Sequence, residues 1–268
     1  MYLKKQLQDM KNKNKYYHSF VIPTAGKSQY LETCIKSLKN QKVKSRIIMT
    51  TSKPHKGLHQ IAKKFNIELF IFKKHNNIAN DWNRAVKMSK SKFVTMAHQD
   101  DTYDRNYAQE IYKSLKEVKK KPSIIFTDYY ELKNNKKIIS YKIIIKKIIL
   151  STFYLRKNLL NDKRVKRRLV SFGSPIPCPT VTFNTDYNIK FDEKFWVNID
   201  WALWIKLSNI PGSFLYIKKK LVCHRIHQKS ETSKAINDGK RAKEDKILFQ
   251  KLWPNSIGWF LSKIYELS

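Results

Sequence analysis

Glycine is scarce in this 268-residue chain, with six residues at positions 26, 57, 173, 212, 239 and 258. No two are close enough to form G-x-G, and none opens G-K-[ST]. The glycine-rich loops that cradle phosphate in dinucleotide-binding folds and P-loop enzymes are therefore excluded. Cysteine is sparse too. Cys34, Cys178 and Cys223 are widely spaced and form no C-x-x-C. That argues against a disulfide framework or zinc ribbon, and for small buried hydrophobes in a reducing compartment. No run approaches the roughly 18 apolar residues of a membrane span. The nearest, Ile143 to Leu150, is broken by Lys146 and Lys147. Residues 1–15 are polar and basic with no apolar stretch, so no secretory signal is expected. Acidic residues are few: 21 Asp+Glu face 55 Lys+Arg, a net charge of +34.

What is present is enough to fold. Hydrophobic residues make up 41% and aromatics 13%, so the chain is not a disordered basic tail. Its length suits one large α/β domain or two small ones. A basic surface attracts nucleic acid, anionic lipid or phosphorylated small molecules. Evenly spread lysine, by contrast, is a compositional bias on a solvated surface. The distribution separates these readings. Between Lys133 and Val170 there are thirteen basic residues and one acid, Asp162. Apolar residues interleave with them, including Ile143, Ile144, Ile145, Ile148, Ile149 and Phe153. That mixture suits a helix lying on an anionic membrane surface. A solvated insertion and a nucleic-acid surface are the other readings. No zinc finger or other recognisable reading motif supports specific nucleic-acid binding.

The first half alternates short apolar runs with helical periods. Phe20–Ile22 reads as a strand, stopped by Pro23, and Leu31, Cys34, Ile35 and Leu38 as a helix. Ile47–Met49, Leu69–Phe72, Phe93–Met96 and Ile124–Phe126 read as further strands. Between them lie helical patterns at Leu58–Phe65, Ile78–Ala85 and Ile111–Val118. Such alternation predicts an α/β fold with a mostly parallel central sheet flanked by helices. Ligands bind such sheets beyond the carboxyl ends of the strands. Those ends carry Thr24, Thr50-Thr51-Ser52, Asp100-Asp101 and Asp128. After Val170 come a loop with three prolines, a strand at Val181 to Phe183 and a helix from about Asp200.

Asp100 and Asp101 follow a buried strand directly. Adjacent carboxylates there are costly unless something neutralises them. A divalent cation bridging a substrate diphosphate would do so, and an N-cap for the next helix is the simpler alternative. Their context resembles the family 2 glycosyltransferases, which have the GT-A fold. Phe20-Val21-Ile22-Pro23-Thr24 resembles that family's opening strand and turn, and Asn83 the Asn of the helix before the metal motif. Met96 to Asp101 resembles the D-x-D-D segment. Phe191 to Phe195, then Asp200 to Leu207, resemble the acceptor-side motif. Arg225-Ile226-His227, with Ser230 and Thr232, resembles the segment after the last strand. The matches keep the family's order from about residue 18 to 233.

The resemblance implies a GT-A nucleotide-diphospho-sugar transferase fold with a basic helical insertion and C-terminal helices. Its divisions would be a basic extension (1–17), a donor half (18–128), the basic insertion (129–170), an acceptor half (171–233) and a C-terminal helical segment (234–268). It implies an inverting glycosyltransferase with a nucleotide-sugar donor, a UDP-sugar foremost, and Mn²⁺ or Mg²⁺ as cofactor. Asp200 takes the place of the catalytic base that removes the acceptor hydroxyl's proton; its simpler alternative is an N-cap. Pro23, Thr24, Thr51, Ser52, Asn83 and Asp100 are the implied nucleotide-sugar contacts, and Asp100, Asp101 and His227 the implied metal ligands.

Three departures stand out. His98 replaces the first Asp of D-x-D, the second-strand end is Thr50-Thr51-Ser52 rather than acidic, and Ile199 replaces the acid before the base. Base recognition would then rest on hydroxyls. The expected setting is bacterial surface polysaccharide or glycoconjugate synthesis, with a glycan or lipid-linked acceptor, in the cytoplasm at the inner face of the membrane. A non-catalytic glycosyltransferase-like subunit and a basic nucleic-acid-binding α/β protein are the alternatives. Trp196, Trp201 and Trp204 are either a sugar-stacking platform or core. Trp253, Ile257, Trp259, Phe260 and Ile264 mark either an interfacial or a docked helix.

Overall fold

The computed structural model describes residues 16–134, 136–155, 158–228 and 239–266. Residues 1–15 of the expected basic extension, the basic pair Arg156 and Lys157, and Ser230 and Thr232 lie outside the described residues. The first half runs β1 (Tyr16–Ala25), α1 (Leu31–Lys39), β2 (Arg46–Lys53), α2 (Leu58–Phe65), β3 (Glu68–Ile71), α3 (Ile78–Ser89), β4 (Ser91–Met96), β5 (Thr102–Tyr103) and α4 (Tyr107–Glu117). Then come β6 (Ile124–Lys133), β7 (Lys136–Ile138), α5 (Tyr141–Tyr154), β8 (Leu159–Leu160), α6 (Lys163–Leu169), β9 (Val181–Asn184), α7 (Ile199–Ser208), β10 (Phe214–Arg225), α8 (Lys240–Leu252) and α9 (Asn255–Glu266).

The sheet order is β3-β2-β1-β4-β9-β6-β10-β5, with β7 beside β6 and β8 beside β10. β1, β2, β3 and β4 pair in parallel, as do β6 and β10. β9 lies antiparallel between β4 and β6. Strands β3, β2, β1, β4, β6 and β10, on the two sides of β9, therefore point one way, and their carboxyl ends form one edge. β6 runs on to Lys133, beyond the Asp128 at which the expected strand stops, because β10 pairs with it as far as Leu132–Arg225. Pro23 does not end β1. It lies past the last β1–β4 pair, Val21–Met96, where the missing N–H costs no ladder bond on that side.

Helices cover both faces, so central strands are apolar throughout. Side chains alternate between the two layers. Phe20 and Ile22 pack with Leu31, Cys34, Ile35 and Leu38 of α1 and with Tyr107 and Ile111 of α4. Val21, Ile48 and Val94 face the other layer, with Ala85 of α3, Trp201 and Trp204 of α7 and Leu248 of α8. The three cysteines are free, and Cys34 and Cys178 are buried in these layers as expected. Among the described residues, no helix is long and apolar enough to cross a membrane.

Candidate active site

The carboxyl end of β4 runs into a turn closed by Asp101 N–H on the His98 carbonyl at 3.2 Å. Asp101 is fully buried. Its Oδ1 accepts the Arg225 backbone N–H at 2.7 Å, and His224 Nδ1 lies 3.1 Å from both its oxygens. Burial alone would raise its pKa, but His224, His98 and the Arg225 N–H outweigh burial and hold it below the usual carboxylate range. In return, Asp101 and Asp100 overcome the effect of burial on His224 and raise its pKa. This latch ties the β4 turn to the end of β10. Asp100 is more open: its Oδ2 is 2.9 Å from His227 Nε2, and its carbonyl accepts from Arg225 Nε at 3.0 Å. Arg225 in turn lies 4.1 Å above the Tyr30 ring.

His98 departs from the family pattern, yet it joins this cluster. Its Nδ1 is 3.9 Å from Asp101, its ring lies 5.1 Å from Trp82, and its Nε2 is buried with no hydrogen-bond partner. Burial lowers its pKa, against the pull of Asp101 and Asp100. A neutral imidazole with an unengaged nitrogen is a metal donor. Ligand atoms of His98, Asp100 and Asp101 all lie within 4.8 Å of one another, the one such group among the described residues. These residues fit a divalent cation: two carboxylates, an imidazole nitrogen lacking a partner, and His227 against Asp100.

Asp200 sits in the first turn of α7 and accepts the Trp201 N–H at 2.7 Å. The N-cap position itself is Asn198, whose side chain makes no capping bond. Burial raises the Asp200 pKa, against the Trp201 N–H, Lys146, Arg241 and His98. Lys146 of α5 is pushed down to about 8 by burial and Arg241, with Asp200 and Glu131 opposing. So Asp200, His98 and Lys146 lie within electrostatic reach of one another. Both ends of α7 are held from outside. The Glu244 carboxylate accepts the backbone N–H groups of Trp196, Val197 and Asn198 at 2.6, 3.1 and 2.9 Å. Lys166, 0% exposed, donates to the carbonyl of Leu207 in the last turn and to those of Ile210 and Gly212 just beyond it. Trp201 and Trp204 are core: both are fully buried, and their indole N–H groups donate to Val170 and Ile176. Trp196 is exposed.

At the carboxyl ends of β1 and β2, Pro23 is half-buried and Thr24 Oγ1 donates to the Thr50 carbonyl at 3.3 Å. Thr51 Oγ1 accepts the Lys53 N–H, and Ser52 Oγ bonds His75 and Asp81. Asn83 braces a neighbouring loop. Its amide pairs with both the N–H and the C=O of Phe191, pinning α3 to the loop that carries Glu193. The sequence reading missed Lys146, Arg241, His224 and Asp81, which reach their partners only through the fold. Asp81 lies two residues before Asn83, but nothing in the pattern marked it.

A one-directional sheet edge that gathers hydroxyls, a His–Asp–Asp cluster and the half-buried Asp200 belongs to a GT-A-type α/β fold. Residues 19–179 match the family described as Glycosyl transferase family 2. The chain belongs to that family. No curated protein sequence matches it. Among solved structures it is similar to S. aureus TarS 1-349 in complex with UDP-GlcNAc, with a TM-score of 0.65 at 14% identity over 87% of this chain and 65% of that one. It is also similar to the mannosyltransferase PcManGT from Pyrobaculum calidifontis in complex with GDP-Man and Mn²⁺. There the TM-score is 0.63 at 10% identity, over 98% of this chain and 80% of that one. The chain spans less than two thirds of the length of these TarS chains.

Proposed function

We propose that this protein transfers a sugar, with inversion, from a nucleotide-diphosphate donor to an acceptor hydroxyl. The observation that supports this most is the His98–Asp100–Asp101 cluster at the end of β4, within electrostatic reach of Asp200, in a chain of this family. Pro23, Thr24, Thr51 and Ser52 line the donor edge. Asp200 takes the proton from the acceptor hydroxyl as that oxygen attacks the anomeric carbon. Asp100, Asp101, His227 and His98 would hold Mn²⁺ or Mg²⁺. When bound, such an ion offsets the charge that builds on the departing diphosphate. Arg225 braces the cluster through the Asp100 carbonyl and the Asp101 carboxylate.

The donors carried by the similar structures, UDP-GlcNAc and GDP-Man, support a nucleotide sugar, and we take a UDP-sugar as the first candidate. We further propose a glycan or lipid-linked acceptor, a role in bacterial surface glycan synthesis, and work at the inner face of the membrane. Incubation with Mn²⁺ and a panel of nucleotide sugars tests the reading. Donor hydrolysis or transfer is expected. Asp200→Asn should lower turnover about 10²- to 10⁴-fold while donor binding persists. Asp100→Asn should weaken metal-dependent donor binding. Unchanged activity in both variants would sink the assignment.

A further inference from the structure

The start of α1 meets the His98–Asp100–Asp101 cluster at two points. Tyr30 stands at the N-cap position of α1, and Ser28 Oγ accepts its N–H at 3.2 Å. Its side chain is half-buried. The Arg225 guanidinium lies 4.1 Å from the centre of the Tyr30 ring, and the His227 ring lies 5.3 Å from it. Both of those side chains reach Asp100. Arg225 Nε donates to its carbonyl at 3.0 Å, and His227 Nε2 is 2.9 Å from its Oδ2. The Arg225 N–H also donates to Asp101 Oδ1 at 2.7 Å. One turn along α1, the Cys34 thiol donates to the His98 carbonyl at 3.3 Å. Residues four apart share one face of a helix, so one face of α1 supports both sides of the turn that carries the cluster. The helix itself is fixed, because Leu31, Cys34, Ile35 and Leu38 are buried in the layer that holds Phe20 and Ile22 of β1.

We propose that Tyr30 is a positioning residue of the metal cluster, its ring holding Arg225 and His227 in place against Asp100. This rests on the function proposed above, in which Asp100 and His227 are metal ligands. A guanidinium is planar and weakly hydrated, so an aromatic face restrains it where an aliphatic neighbour does not. Here one ring restrains two side chains. Removing it frees both at once, and Asp100 loses the support of its carbonyl and of its carboxylate together. Groups behind the ligands set their orientation and hence the affinity for the ion. The role belongs to the ring face rather than to the hydroxyl, and it runs in part through Arg225.

Titration of Mn²⁺ into the full chain, with and without UDP, tests this without any turnover. Electron paramagnetic resonance counts the unbound ion, against a blank of UDP alone. Tyr30→Phe keeps the ring and should bind Mn²⁺ within about twofold of the wild type. Tyr30→Leu should bind it about tenfold more weakly. Arg225→Leu should also bind it more weakly. Adding Tyr30→Leu to Arg225→Leu should then cost less than Tyr30→Leu costs the wild type, because the two side chains act as a unit. A ring that only filled space would give an independent, additive loss. Melting curves establish that each variant is folded; if Tyr30→Leu is not, Tyr30→Met fills more of the space without an aromatic face and takes its place in the comparison. Unchanged affinity in the variant lacking the ring, an equal loss in Tyr30→Phe, or fully additive losses overturns the inference and leaves the proposed function standing. A wild type that binds no Mn²⁺ under either condition overturns the metal site of the proposed function itself.

Discussion

Lys146 and Asp200 set each other's charge. The proposed general base, Asp200, would work only when deprotonated, and burial holds its pKa above the usual carboxylate range. Lys146 works against that rise, which favours the carboxylate form. Lys146 is itself displaced, down to about 8, so it stays cationic below that pH. Removing the ammonium leaves burial less opposed, and the Asp200 pKa climbs further. Lys146→Gln should therefore move the acid limb of the kcat/KM profile to higher pH. Activity at pH 6 should fall several-fold more than activity at pH 8. The check is a pH–rate profile of both proteins on one donor and acceptor. An acid limb that stays where it was would mean that Lys146 does not tune the base. No sequence signal marked this pair, because Lys146 sits in a run of basic and apolar residues that reads as surface. The run is indeed basic, but α5 brings Lys146 within electrostatic reach of Asp200 and sets the exposed Lys147 3.4 Å from Asp128.

Helix α7, which carries the proposed base Asp200, is held at both ends by charges matching the helix dipole: an acid at the N-terminus and a cation beyond the C-terminus. The two ends should behave differently when released. Glu244→Gln leaves three backbone N–H groups with a neutral acceptor at best, which should cost about 2 kcal/mol. It also loosens the turn next to Asp200, so kcat should fall with KM little changed. Lys166→Met strands the carbonyls of Leu207, Ile210 and Gly212 and should cost about 3 kcal/mol. Those carbonyls lie at the far end of the helix from the base, so activity per folded molecule should persist. Denaturant melts and steady-state kinetics on the two variants check this contrast, and equal kcat losses in both would contradict it. The helices of the first half were legible because periodicity alone fixes their buried face, as in Leu31, Cys34, Ile35 and Leu38. The clamps on α7 were not. Glu244 acts on residues 46–48 positions away, and Lys166 lies within a basic run yet is wholly buried. The Asp100–Asp101 pair and Asp200 stood out in the sequence. The way His98 and His224 complete their surroundings depends on β10 returning beside the β4 turn.

Across the whole molecule, the net charge of +34 divides into unlike parts. Lys166 is used inside the structure, and the half-buried Lys146 acts on Asp200. Much of the rest is spread over the surface. What remains is a local combination on α5, whose outer face exposes Tyr141, Ile144, Ile145 and Ile148, with Leu155 just beyond its end at 75% exposure. Ile139, Ile144, Ile148 and Leu155 line a shallow groove there with Lys147 and Lys220. No acid lies on this helix. Large exposed aliphatics flanked by lysines match an anionic lipid surface, where apolar burial and charge attraction add. The opposite side of the same helix brings Lys146 within electrostatic reach of Asp200, so lipid contact would set the proposed acceptor site close to the bilayer. Vesicles of phosphatidylcholine with phosphatidylglycerol should therefore bind the protein, and pure phosphatidylcholine vesicles much less. Pairing Ile144→Ser with Ile148→Ser removes exposed side chains only, so the melting temperature should hold. The pair should lose about 2 kcal/mol of apolar burial in the bilayer, a roughly thirtyfold weaker partition. Added salt should weaken wild-type binding without abolishing it, because the apolar part is insensitive to screening. If the double variant binds anionic vesicles as well as the wild type does, and salt removes all binding of both, then diffuse charge alone makes the contact and α5 is not its site.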